Sequence, residues 1–251
     1  MSMGEVVAAR ESVANPINAV GNARSRGFEL TGSSWNAEFT DDPKDFYLPK
    51  GVRERIDSIL DSVRSYNDFK DYLLQQGIKL STDLERLEKE EADNKELRAV
   101  RETMQKIAVA LEIYKETFGK DSVKALKEVV LYSRETQGQA SFTTILKGEK
   151  DNGKGGRLLV SDWYRDGHDF LHEFAHVLQG SWVRKGEDLL DAAARLNRDA
   201  ALPSHKRAYF GAIPAHREAE RMAEAIADGF YKGDKEGIEF IKRLRKTARH
   251  R

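Results

Sequence analysis

Three short runs rich in β-branched and aromatic residues, set between two helical stretches, restrict the fold of this 251-residue chain more than any other feature. The runs are KEVVLYS, QASFTTIL and GRLLVSDW, and glycine-rich breaks such as residues 151–156 separate them. Residues of these types fit a half-buried pleated surface, whereas the breaks favour turns. Helices, a small sheet and then helices again predict an α+β fold rather than alternating β–α units.

Helical periodicity occupies both sides of the predicted strands. Before them, a long helix is expected from Ser81 to Gly119, with a charged middle at 89–95 that divides it or forms a solvated face. After them, the apolar spacing predicts helices at 166–180, 187–200, 205–211, 215–231 and 235–248.

The chain therefore divides into three predicted parts. Residues 1–50 have no periodic pattern and many turn residues, so we expect an extended arm that is partly disordered. Residues 51–119 form a helical region, and residues 120–251 form a compact domain that contains the sheet.

Composition excludes several kinds of site. The chain has no cysteine, so a bound metal ion must be held by His, Asp and Glu. Lys and Arg number 42, as do Asp and Glu, and this zero net charge gives no sign of a nucleic-acid or membrane partner. The N-terminus lacks an apolar signal segment, which predicts a protein that is cytoplasmic as made.

The segment HDFLHEFAHVLQ at 168–179 contains the candidate metal-binding and catalytic residues. His168, His172 and His176 are four residues apart, so they share one flank of a helix whose other flank is apolar. His172-Glu173-Phe174-Ala175-His176 is an HExxH motif, in which two imidazoles can ligate one zinc ion and the glutamate can take a proton from water. The alternative is a set of surface histidines on an amphipathic helix.

The third protein ligand is not where two common peptidase patterns would put it. One pattern requires Gly at 179 and His at 182, where this chain has Gln179 and Trp182, and the other requires Glu at position 195, which is Arg195. The next acidic helix, at 214–230, has an apolar stripe with Glu220 at its rim. Glu220 is thus a candidate third ligand, with His216 as the alternative on the same helix.

HEFAH, followed 44 positions later by the first glutamate of ERMAEAIADGF, resembles the anthrax-lethal-factor-like branch of gluzincin-type zinc peptidases. The resemblance covers about residues 125–231. It implies a zincin-like metallopeptidase domain, with a small mixed sheet beside the active-site helix and a C-terminal helical part.

The resemblance also implies roles for individual residues. His172, His176 and Glu220 would bind Zn²⁺, and Glu173 would be the general base. Glu224 would orient a ligand, and Tyr209 would stabilise the oxyanion, although it lies farther from Glu220 than the family pattern places its tyrosine.

Two further groups are expected near this site. His168, one turn before His172, is interpreted as a neighbour that supports the ligands rather than as a ligand. The strand at 138–146, through Ser141, Phe142 and Thr143, is a candidate edge for an extended peptide substrate, and an ordinary half-buried strand is the alternative.

The expected function is zinc-dependent endopeptidase activity on a protein or peptide substrate. A degenerate zincin without activity, or an assembly protein that acts through residues 51–119, is the alternative. A small catalytic domain behind a helical segment is typical of a toxin, an effector or a phage-associated module, so delivery out of the cytoplasm is a further possibility.

Overall fold

The computed structural model describes residues 42–82, 94–132, 140–143, 155–161, 166–203 and 216–249. Within these ranges it has seven helices and four strands, so the predicted α+β class is confirmed. The helices are α1 (Lys50–Asp61), α2 (Tyr66–Gln75), α3 (Asn94–Phe118), α4 (Gly167–Ser181), α5 (Leu189–Asp199), α6 (Arg217–Lys232) and α7 (Lys235–Arg249).

The strands form one small mixed sheet. They are β1 (Lys79–Thr82), β2 (Glu128–Tyr132), β3 (Ala140–Thr143) and β4 (Arg157–Ser161), in the order β1-β2-β4-β3. β1, β2 and β4 are parallel, whereas β3 pairs antiparallel with β4. In the described part of the sheet β3 is therefore an edge strand.

The start of the long helix was predicted wrongly. Ser81 and Thr82 belong to β1, which pairs with β2, and α3 is described from Asn94 onward. The sequence KLST is too short for a period-two pattern, and a Ser before charged residues is typical of a helix N-cap, so the local signal favoured the wrong element. Residues 83–93 and the predicted helix at 205–211 lie outside the described residues.

Side-chain caps fix where several helices begin. Asp166 accepts a hydrogen bond from the backbone N–H of His168 at 3.0 Å and begins α4, and Asp188 does the same for α5. α6 ends at Gly233, whose φ of 66° is a left-handed conformation that glycine adopts without a steric penalty. These caps set the register of the helices that carry the candidate site.

α4 lies inside the core, with α3 and α6 packed against it. Its apolar flank is fully buried, with no exposure at Phe170, Leu171, Phe174, Ala175, Val177 and Leu178. The hydroxyl of Tyr114, in α3, donates to the carbonyl of Leu171 at 2.6 Å, and its ring packs on Phe174 and Phe230. The region before residue 119 thus supports the helix that carries the histidine motif.

In the described part of the chain, no helix is both long enough and apolar enough to cross a bilayer.

Candidate metal centre

α4 presents two buried imidazoles on one side. His172 and His176 are one helical turn apart, with exposed fractions of 8% and 9%, and their Nε2 atoms lie 3.1 Å from each other. Charged or polar groups with so little exposure need a partner, because burial removes their contacts with water. The surface-histidine alternative is therefore wrong for these two residues.

α6 brings a carboxylate to the same point. Glu220 Oε2 lies 3.2 Å from His172 Nε2, and Glu220 Oε1 lies 3.5 Å from His176 Nε2. The apolar stripe of α6 is buried as predicted, and Glu220 lies at its rim. His216 occupies the N-cap position of α6 and is not one of the three clustered residues.

These separations fit a single metal ion. Ligand atoms about 2.1 Å from an ion, at angles of about 90–110°, are separated by roughly 3.0–3.5 Å. The three distances, from 3.1 to 3.5 Å, fall in that range, with one Glu220 oxygen facing each histidine. His172, His176 and Glu220 are thus buried groups able to hold a metal ion.

Gln179 fixes the tautomer of His176, a role that was not predicted from the sequence. Its Nε2 donates to the carbonyl of Ala219 at 2.8 Å, so its Oε1 must accept from Nδ1–H of His176 at 2.9 Å. The proton on Nδ1 leaves the Nε2 lone pair of His176 directed at His172 and Glu220. Because Ala219 precedes Glu220, the same side chain also connects the two helices that supply the site.

Glu224 faces the other nitrogen of His172. Its Oε1 lies 3.5 Å from His172 Nδ1, which is the atom that remains when Nε2 points at the ligand cluster. The structure thus places Glu224 beside His172, and its role in orienting that imidazole stays a prediction. An anionic acceptor beside Nδ1 favours a proton there and makes Nε2 a better ligand.

Glu173 joins the motif to the sheet. The backbone N–H of Phe142, in the edge strand β3, donates to Glu173 Oε2 at 2.8 Å. Burial raises the pKa of Glu173 to about 8, with the charge of Glu220 adding to the effect and His172 opposing it. A carboxylate with this pKa is a competent proton acceptor and donor near neutral pH.

Carboxylates dominate the electrostatics of the site. Burial opposes the charged form of His172, but the contact with Glu220 and the charges of Glu173 and Glu224 outweigh it and raise the pKa of His172 to about 10. Burial also acts against ionised Glu220, yet His176 and His172 hold its pKa at about 2. For His176, burial lowers the pKa, so its neutral, ligating form is favoured. In the metal-free cluster, an ionised Glu220 therefore lies between a protonated His172 and a neutral His176.

His168 lies one turn before His172, as expected, and contacts a second pair of carboxylates. Its Nε2 is 3.3 Å from Asp228 Oδ1 and 3.7 Å from Glu224 Oε2. Burial opposes its protonation, but Asp169, Asp228 and Glu224 outweigh that effect and raise the pKa of His168 to about 9. His168 is thus a neighbour of the ligand cluster and not a member of it.

The remaining predicted site residues have different outcomes. Tyr209 lies outside the described residues. Ser141, Phe142 and Thr143 lie in β3, where Phe142 is buried and the other two are partly exposed. The structure therefore brings this strand to Glu173 through Phe142.

Comparison of the chain with protein-family models, curated proteins and solved structures found no match. The zincin resemblance therefore rests on the residues and their geometry.

Proposed function

We propose that this protein is a zinc-dependent endopeptidase. The observation that carries the proposal is the convergence of His172 Nε2, His176 Nε2 and the Glu220 carboxylate at separations of 3.1–3.5 Å. Glu173 is close enough to interact electrostatically with His172 and Glu220. Two imidazoles and one carboxylate from protein, with a further position open, form the ligand set of many catalytic zinc sites. Bound zinc polarises a carbonyl oxygen and lowers the pKa of a coordinated water.

Glu173 would act as the general base. Its raised pKa, of about 8, suits a group that takes a proton from water and then gives it to the departing amine. Gln179 and Glu224 would hold the two imidazoles with Nε2 directed at the ion, since each faces the Nδ1 atom of one histidine.

The edge strand supports a peptide as the substrate. β3 pairs with β4 on one side, and Phe142 of β3 contacts the proposed base. A peptide that adds to this edge as a further strand would have its backbone beside Glu173. Ser141 and Thr143, both partly exposed, would flank it.

The test combines metal content with hydrolysis. The wild-type protein should hold zinc, measured by elemental analysis, and His172→Ala and His176→Ala should empty the histidine site. Glu173→Gln should keep the zinc but lose cleavage of an unstructured protein substrate by about 10²–10⁴-fold, because an amide cannot take the proton. Glu187→Gln is the control, since that carboxylate pairs with Arg195 instead.

Either of two results contradicts the proposal. Zinc retained in full by both histidine variants would remove the ligand assignment. Zinc bound without hydrolysis by the wild type would favour the degenerate zincin.

A second comparison tests the third ligand. Glu220→Ala should weaken zinc binding at least about tenfold, or about 1.4 kcal/mol, because an anionic ligand is lost. Glu218→Ala is the matched control, since Glu218 lies in the same helical turn but contacts Asn197 and Arg221. Chelator competition measures both, and equal affinities would place the third ligand elsewhere.

A further inference from the structure

A second group of metal-binding side chains lies next to the first. His168 Nε2, a Glu224 carboxylate oxygen and a carboxylate oxygen of Asp228 come within 4.8 Å of one another. The residues come from the same two helices, since His168 is in α4 and both carboxylates are in α6. We name these three residues the outer cluster.

The outer cluster repeats the layout of the first site one turn along. Contacts between the helices step from His176–Glu220 to His172–Glu224 and then to His168–Asp228, so α4 and α6 run antiparallel. One turn before His172 on α4 is His168, and one turn after Glu224 on α6 is Asp228. An imidazole therefore again faces carboxylates.

Distances within the outer cluster are close to those of ligands around one ion. His168 Nε2 lies 3.3 Å from Asp228 Oδ1 and 3.7 Å from Glu224 Oε2. Atoms about 2.1 Å from a shared ion would be roughly 3.0–3.5 Å apart, so the distance to Asp228 is within this range and the distance to Glu224 is slightly above it. Two carboxylates also balance the charge of a divalent cation.

Exposure distinguishes this cluster from the first site. The side chains of His168, Glu224 and Asp228 are 15%, 20% and 28% exposed, so an ion can enter and water can complete its coordination. One imidazole with two carboxylates suits first-row divalent ions such as Zn²⁺ and Mn²⁺.

Glu224 connects the two clusters. Its Oε1 faces His172 Nδ1 while its Oε2 faces His168 Nε2, so each carboxylate oxygen serves one cluster. Binding at the outer cluster would therefore act on the group that orients a ligand of the first site.

We propose that His168, Glu224 and Asp228 form a second site for a divalent transition-metal ion, bridged to the first through Glu224. This goes beyond the proposed peptidase function, because the outer site needs neither Glu173 nor a metal ion at the first site. The competing occupant is a proton on His168, which would make the cluster an ion pair.

Zinc titration of the metal-free protein at pH 7.5, by calorimetry with elemental analysis, tests the proposal. The wild type should bind two ions per chain. Asp228→Asn should weaken one binding event at least about tenfold, and the other should still be detected. Asp169→Asn is the matched control, because Asp169 faces Nδ1 of His168, at 3.7 Å, and not the clustered Nε2.

His176→Ala separates this proposal from the peptidase proposal. That variant should still bind one ion, and adding Asp228→Asn to it should abolish that binding. A wild type that binds one ion, unaffected by Asp228→Asn, would overturn the second site and leave the first. Suppose instead that the wild type binds one ion, that His176→Ala keeps it and that Asp228→Asn loses it. That result would support the outer site and contradict the site formed by His172, His176 and Glu220.

Discussion

At the scale of single residues, the candidate metal site depends on side chains outside the cluster of His172, His176 and Glu220. Gln179 is fully buried and uses both ends of its amide, one on His176 and one on the carbonyl of Ala219. It therefore sets a tautomer and the spacing of two helices at once. Removing such a group leaves buried polar atoms unpaired, which costs about 1–3 kcal/mol for each.

Gln179→Leu is expected to weaken zinc binding by about 10–100-fold, as is usual for groups that orient a ligand. The protein should also lose stability. Gln105→Leu is the control, since Gln105 donates to the carbonyl of Leu60 and has no contact with the histidines. Chelator competition and urea unfolding check both variants. If Gln179→Leu binds zinc as tightly as the wild type but is less stable, the role of Gln179 is structural only.

The role of Gln179 was not predictable from the sequence, whereas His172, Glu173 and His176 were. The motif is local, because one helical turn places both imidazoles on one face whatever the rest of the chain does. The partner of Gln179, Ala219, is forty residues away and takes part through its backbone. No side-chain pattern encodes such a contact.

At the scale of elements, strong apolar periodicity made the helices predictable, whereas the short strand β1 was missed. α4 and α6 agree with their predicted positions within about two residues, because each buries a continuous apolar stripe. β1 has four residues, and its pairing with β2 depends on a segment almost fifty positions later. Such a strand is determined by its neighbours rather than by its own sequence.

An ion pair between Arg195 and Glu187, whose strength depends on pH, stabilises the connection between α4 and α5. Arg195 is buried; its Nε donates to Glu187 at 2.7 Å, and its Nη2 donates to the carbonyl of Trp182 at 2.8 Å. The hydrogen bond from Arg195 is the main reason that the pKa of Glu187 falls from 4.5 to about 2. Because the folded-state pKa is the lower one, the pair stabilises the fold above about pH 4.5 and ceases to do so as the pH falls towards 2.

Glu187→Gln should therefore flatten the fall in stability between pH 4.5 and 2 that the wild type shows. Urea unfolding midpoints across that range measure the effect. Glu239→Gln is the comparison, because the Glu239–Lys242 pair is exposed and contributes little. Parallel profiles for the wild type and Glu187→Gln would show that the pair does not stabilise the fold.

At the scale of the whole molecule, the helical region and the region with the candidate metal site share one core. α3 buries Tyr114 completely between α4 and α6, and Ile107, Ala108 and Leu111 are also fully buried. The predicted division at residue 119 is thus a change of secondary structure within a shared core. Residues 1–41 lie outside the described structure, so the predicted arm stays a prediction for that part.

A fragment of residues 120–251 is accordingly expected to fail as an independent domain. Without α3, the apolar flanks of α4 and α6 would face water, which disfavours a unique packed state. Near-ultraviolet circular dichroism and dye binding should report lost packing, and zinc affinity should fall. A fragment that unfolds cooperatively and binds zinc as tightly as the full chain would contradict this expectation.

The hydrogen bond between Phe142 and Glu173 also makes one backbone amide an internal reporter. An N–H at the outer edge of a sheet normally exchanges its hydrogen with solvent readily, because no neighbouring strand protects it. Here the protecting acceptor is the proposed general base itself. The exchange rate of the Phe142 amide thus reports, without any substrate, whether the Glu173 carboxylate lies within hydrogen-bond distance of β3.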